Sequence, residues 1–194
     1  MQIKILYYDL ETTGLDERKH GIHQFSWMLE IDGTIVDQQD YKVRPHPKAL
    51  LDETALAIGH TTAEMVQSYE EMAKVHKRFV ATMQKHVDKY DKKDKIYLCG
   101  YNSAGFDNRF LRAWFKQNGD SYFGSLFYGE ELDVRTLAAQ YLLNRRLGMP
   151  DFKLMSVASE LGIEVDQSKL HDALYDIYLT REVYKIVTGR ESEI

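Results

Sequence analysis

The sequence predicts an α/β fold whose mixed central sheet runs from an antiparallel meander into parallel strands, with helices on both faces. Two observations predict it. Strand-forming runs come first, joined by a hairpin signal; then strand-like and helical segments alternate to the end of the chain.

"QIKILYYD" (2–9) is a strand of β-branched and aromatic residues with acids only at its exit. "HQFSWMLEIDGTIVDQQDYKVRP" (23–45) carries Asp32-Gly33 between two strand-like runs, a hairpin signal that completes a three-stranded meander. Pro45 and Pro47 break the pattern, and a loop runs towards Thr62. From Thr62 to Tyr90, Val66, Tyr69, Met72, Ala73, His76, Phe79, Val80, Met83 and Val87 recur at helical spacing. "KIYLCGY" (95–101) is the next strand, and "GFDNRFLRAWFKQNG" (105–119) a helix closed by Gly119. Further helices fit 130–146, 153–162 and about 172–187. No internal repeat interrupts this order, and residues 1–194 read as a single domain.

Composition narrows the function. A net charge of −5 gives no basic footprint for gripping duplex nucleic acid, so a pure nucleic-acid-binding module is disfavoured. One cysteine, Cys99, excludes an intramolecular disulfide and a cysteine-based zinc site, and its apolar surroundings suit a buried thiol. No apolar stretch approaches the length of a membrane span, so no membrane partner and a cytoplasmic location are expected.

Three short motifs carry chemistry. In "YDLETTGL" (8–15), Asp9 and Glu11 are two residues apart and share one face of the strand. Adjacent carboxylates resist ionising together, and a divalent cation resolves the conflict; read alone, the stretch is also a strand running into a turn. In "GYNSAGFDNRFL" (100–111), Asp107 falls in a first helical turn, where an acid suits the helix dipole, and Asn102 is a turn residue or a polar ligand contact. In "HDALYDIYLTREVY" (171–184), His171 and Asp176 are five apart, about 140° off-face on a continuous helix. If both serve one site, His171 lies on the loop before the helix.

The order D-x-E, N-x-x-x-F-D, H-x-x-x-x-D resembles the DEDD superfamily of 3′–5′ exonucleases, in the branch with histidine in the third motif. The resemblance runs from about Ile3 to Tyr184. It implies a ribonuclease-H-like fold and an enzyme that releases nucleoside 5′-monophosphates from the 3′ end of single-stranded nucleic acid, with DNA slightly favoured over RNA. It implies two divalent ions, Mg²⁺ or Mn²⁺, held by Asp9, Glu11, Asp107 and Asp176, and His171 as the base that deprotonates the attacking water. Thr12, Thr13, Gly14 and Leu15 would contact the terminal nucleotide, with Asn102 beside them. A polymerase or other replication partner is compatible with it, as is a catalytically silent subunit on the same fold. The chain departs from the family pattern at Tyr101, where histidine is frequent, and at Trp27, where small residues are common; Trp27 is expected in the core.

Overall fold

The computed structural model describes residues 2–88, 90–166, 169 and 172–190. Strands β1 (Lys4–Thr12), β2 (Ile22–Ile31) and β3 (Thr34–Arg44) form the expected meander, joined at the hairpin by Asp32 and Gly33, both at positive φ (48° and 83°). Beyond β3 lies the two-residue strand β4 (Glu70–Glu71). On the other side of β1 lie β5 (Ile96–Gly100) and β6 (Phe127–Asp133), both parallel, giving the order β4-β3-β2-β1-β5-β6.

β1 is central, and both of its faces are buried. Leu6, Tyr8 and Leu10 face one core with Phe25 and Trp27, covered by α3 (Met72–Met83) and α4 (Asp107–Gln117) through Phe79, Phe110, Trp114 and Phe115. Ile5 and Tyr7 face a second core with Cys99, covered by α6 (Val134–Tyr141), α7 (Leu154–Glu160) and α8 (Ala173–Thr188) through Ala138, Val157, Ile177 and Val183. Helices therefore flank both faces, as expected. Trp27 is fully buried beside Phe79 and Tyr41. Among the described residues no helix is long and apolar enough to cross a membrane.

The structure differs from the sequence reading in three places. The stretch before Thr62 contains α1 (Glu53–Ile58), whose first amides donate to the Asp52 carboxylate. The helix expected over 62–90 is two helices, α2 (Ala63–Ser68) and α3, parted at Tyr69 and β4. The edge of β3 pairs with Glu70 and Glu71, and the ion pairs Arg44–Glu71 (3.0 Å) and Arg78–Glu70 (2.7 Å) hold that acidic pair extended. The segment from 130 does not begin as a helix: Glu130 to Asp133 complete β6, and Asp133 then caps α6 by accepting from the Thr136 amide. Between α4 and β6 runs the short helix α5 (Phe123–Leu126).

Candidate active site

In open α/β sheets, ligands sit beyond the carboxyl ends of the parallel strands. Here β1 outruns β5, whose last pair with it is Tyr7 to Cys99. Leu10 therefore has an amide facing β5's side with no strand residue opposite. The Asp107 carboxylate, in the first turn of α4, fills that gap: the Leu10 N–H donates to its Oδ1 at 3.1 Å. One hydrogen bond thus ties the second motif to the first.

Strand alternation does the rest. Asp9 and Glu11 share the face of Ile5 and Tyr7, against which α8 packs, with the Tyr7 and Tyr184 rings 5.9 Å apart edge-on. Asp176 lies in α8's first turn and acts on the same point. Burial raises the pKa of Asp9 well above the carboxylate range, and Asp107, Glu11 and Asp176 raise it further. Asp107 is pushed up to about 7 by burial, with Glu131 and Glu11 adding to the rise and the Leu10 amide opposing it. Four carboxylates from three motifs therefore share one field. His171 lies outside the described residues.

That donor set matches a hard divalent cation in type and charge. Among the described residues no three His, Cys, Asp or Glu side chains are already drawn to metal-ligand spacing. Mutual repulsion between carboxylates opposes such closure, and it is this repulsion that a cation offsets.

The loop after β1 is tightly built. Thr13 is fully buried: its N–H donates to Gly21 O (2.9 Å), its hydroxyl donates to Leu50 O (2.7 Å) and accepts from the Gly21 amide (3.0 Å), and its carbonyl accepts from Asp52. Its polar groups are all used within the protein. Thr12 Oγ1 donates to Gly14 O (2.8 Å). Gly14 (φ 155°) lies against the His20 imidazole so closely that a Cβ would meet His20 Cδ2 at 2.2 Å. Leu15 is 77% exposed, an apolar side chain standing free at the rim. Asn102 takes a left-handed conformation (φ 64°), and its Oδ1 accepts from Arg135 at 2.9 Å. Tyr101 is turned away, donating its hydroxyl to Phe152 O.

Two residues not singled out from the sequence adjoin the acids. Glu131 on β6 accepts from Tyr8 OH (2.7 Å) and from Asn108 Nδ2, placing a fifth carboxylate behind Asp107. Its signal was hidden because "GEELD" reads as a helix start. His23 is the extra residue of a bulge where Glu11 pairs with Gln24 and Thr12 with Ile22. Burial and the charge of Lys42 lower its pKa to about 4, so the ring is neutral at pH 7. A methyl on Gly59 would lie 3.5 Å from its Cε1 and 3.7 Å from Glu11 Oε2, so Gly59 borders both.

Comparison with known proteins agrees with this architecture. The RNase T exonuclease family profile matches residues 6–184. DNA polymerase III of the PolC type from Mycoplasmopsis pulmonis is 26% identical over 178 residues, covering 91% of this chain and 11% of the polymerase. The Thermotoga petrophila protein of the same type is 27% identical over 176 residues, again 91% and 11%. The chain thus spans about a tenth of the length of these relatives. Among solved structures, E. coli Exonuclease I in complex with a dT13 oligonucleotide superposes with a TM-score of 0.75 at 22% identity, covering 97% of this chain and 42% of that one. A zinc-bound form of the Exonuclease I–ssDNA complex gives 0.76 at 22%, covering 98% and 41%. At that identity the likeness speaks for the fold, and it bears out the ribonuclease-H-like expectation. With three motifs meeting at one strand end and the family profile spanning nearly the whole sequence, the chain belongs to the RNase T exonuclease family, within the DEDD superfamily of 3′–5′ exonucleases.

Proposed function

We propose that this chain hydrolyses phosphodiester bonds from the 3′ end of single-stranded nucleic acid, releasing nucleoside 5′-monophosphates. The observation that carries the reading is the convergence of Asp9, Glu11, Asp107 and Asp176, in which burial and three neighbouring acids raise the pKa of Asp9. Such a site is too acidic to receive a polyanion unaided. Asp9, Glu11, Asp107 and Asp176 would hold two divalent ions, Mg²⁺ or Mn²⁺, which supply the charge that stabilises attacking and leaving oxygens in phosphoryl transfer. His171 takes the proton of the attacking water, a role that needs its neutral form. The exposed Leu15 wedges against the terminal base, and the Gly14 turn brings the main chain close to it.

The polymerase relatives, and the oligonucleotide in the Exonuclease I complex, favour DNA over RNA. Because the chain matches only a tenth of those polymerases, work inside a replication assembly is the second reading. The deciding experiment is a 5′-labelled time course on single-stranded DNA, single-stranded RNA and duplex, with Mg²⁺, Mn²⁺ or EDTA and Asp9→Asn as control. Stepwise shortening that needs metal and Asp9 is the expected result. Shortening that persists in excess EDTA sinks the metal assignment, and an inert wild-type chain favours the silent-subunit alternative.

A further inference from the structure

The solvent face of α4 carries Arg109, Arg112 and Lys116 at helical spacing, about 10 Å of axis from first to last. Asp107 opens the same helix, but the basic row is turned about 140–200° from it, away from β1. Across from the row stands the loop that follows Leu15, with Glu17 3.8 Å from Arg109 and Arg18 held by Asp16 at 3.0 Å. Loop and helix enclose an open groove of about 480 Å³.

The groove's charge is not cancelled. Arg18 and Arg109 have acidic partners, whereas among the described residues neither Arg112 nor Lys116 is ion-paired. Arg112 is fixed all the same: its Nε donates to Asn108 Oδ1 at 2.5 Å, and its guanidinium lies 4.4 Å over the Phe123 ring. Among the described residues, a chain of net charge −5 thus lines one groove with four cations, two of them unpaired, and a single acid, Glu17, next to the loop bearing Leu15. A groove lined by cations, with Arg112 among them held in place, suits a phosphate backbone.

We infer that this groove carries the phosphates of the strand upstream of its terminal nucleotide, so that the chain grips single-stranded nucleic acid by the α4 face while the acids act on its end. The inference rests on the exonuclease reading and deepens it by naming the binding surface. It also accounts for how an acidic protein holds a polyanion. The cations steer and retain the backbone outside a site whose own charge repels it.

The test is fluorescence anisotropy of 5′-labelled 12-mers of deoxythymidylate and uridylate, and of the matching dinucleotides, across a salt series in the Asp9→Asn background. Arg109→Ala/Lys116→Ala is expected to weaken 12-mer binding about tenfold and to flatten the log K against log salt slope by about 1.4, while narrowing the gap between 12-mer and dinucleotide. Arg109→Lys/Lys116→Arg keeps both charges and is expected to bind like the parent, and melting curves confirm that each variant is folded. An unchanged slope, an equal loss for the dinucleotide, or an equal loss in the charge-conserving pair overturns the inference. So does competition by polyglutamate as effective as by the 12-mer. Groove-dependent binding with no hydrolysis by the wild-type chain strikes the exonuclease reading alone; hydrolysis with groove-independent binding strikes the groove alone.

Discussion

At the residue scale, Asp107 does two jobs that one substitution separates. Its carboxylate belongs to the acidic cluster, and its Oδ1 also receives the Leu10 amide. Asp107→Asn keeps an acceptor for that amide and removes a buried charge. Asp107→Ala removes both and leaves a buried N–H without a partner, which costs about 1–3 kcal/mol. The alanine variant should therefore melt below the asparagine variant, by about 2–4 °C per kcal/mol for a chain of this size, although both should lose mononucleotide release. Equal melting temperatures would mean that the Leu10 bond contributes nothing to stability. The shared face of Asp9 and Glu11 was legible from D-x-E on a strand, whereas Asp107 and Asp176 joined them only through the resemblance carried by all three motifs. Thr13 was less legible: "TTGL" suggests ligand contact, whereas Thr13 is spent on Gly21 across its own loop and on Leu50 and Asp52, which lie far away in the chain. Glu131 was not legible at all, since its proximity to Asp107 comes from strand pairing and not from spacing.

At the scale of elements, the loop after β1 depends on one close approach. A side chain at Gly14 would overlap the His20 ring, whose Nδ1 lies 3.1 Å from the Asp16 carbonyl. Gly14→Ala should displace the turn that carries Leu15, raising KM for an oligonucleotide about tenfold or more through misplacement of the end. His20→Ala opens the space the methyl needs. The double variant should then recover part of the loss, a coupling that a double-mutant cycle on KM reads directly. Additive losses would show that Gly14 matters for its backbone conformation alone. The same scale explains what the sequence hid. Helical periodicity across 62–90 is real on both sides of Tyr69, but an edge of β3 lined by Arg44 captures Glu70 and Glu71. β6 is equally a tertiary product: "FYGEELD" has little strand character of its own and is ordered by β5 beside it. The meander and α4 needed no such help, because the turn chemistry of Asp32-Gly33 and the spacing of Phe110, Leu111, Trp114 and Phe115 state their structure locally.

At the scale of the whole molecule, the sheet brings together acids that begin 167 residues apart in sequence, from Asp9 to Asp176, and their repulsion is borne by the fold. Protons and divalent cations are the two ways to relieve it, and they compete. Burial and neighbouring acids raise the folded-state pKa of Asp9 and Asp107, the latter to about 7, above the ordinary carboxylate value of the unfolded chain. Between those values the folded state binds more protons than the unfolded one, so this contribution to stability is complete below the unfolded pKa and is lost as pH rises through the folded pKa. The metal-free protein should accordingly lose stability as pH rises from about 4 to about 7 through Asp107, with Asp9 acting in the same direction. A cation binds the deprotonated carboxylates and must displace their protons at low pH. At a concentration near a hundred times its Kd, a bound ion adds about 2.7 kcal/mol, or about 5–10 °C in Tm for a chain of this length. That gain should appear at pH 8, shrink at pH 5, and disappear at both in Asp9→Asn. Differential scanning fluorimetry with Mg²⁺, Mn²⁺ and EDTA at the two pH values measures it without any nuclease assay. A larger gain at pH 5 than at pH 8, or one that survives Asp9→Asn, would place the cation away from these acids.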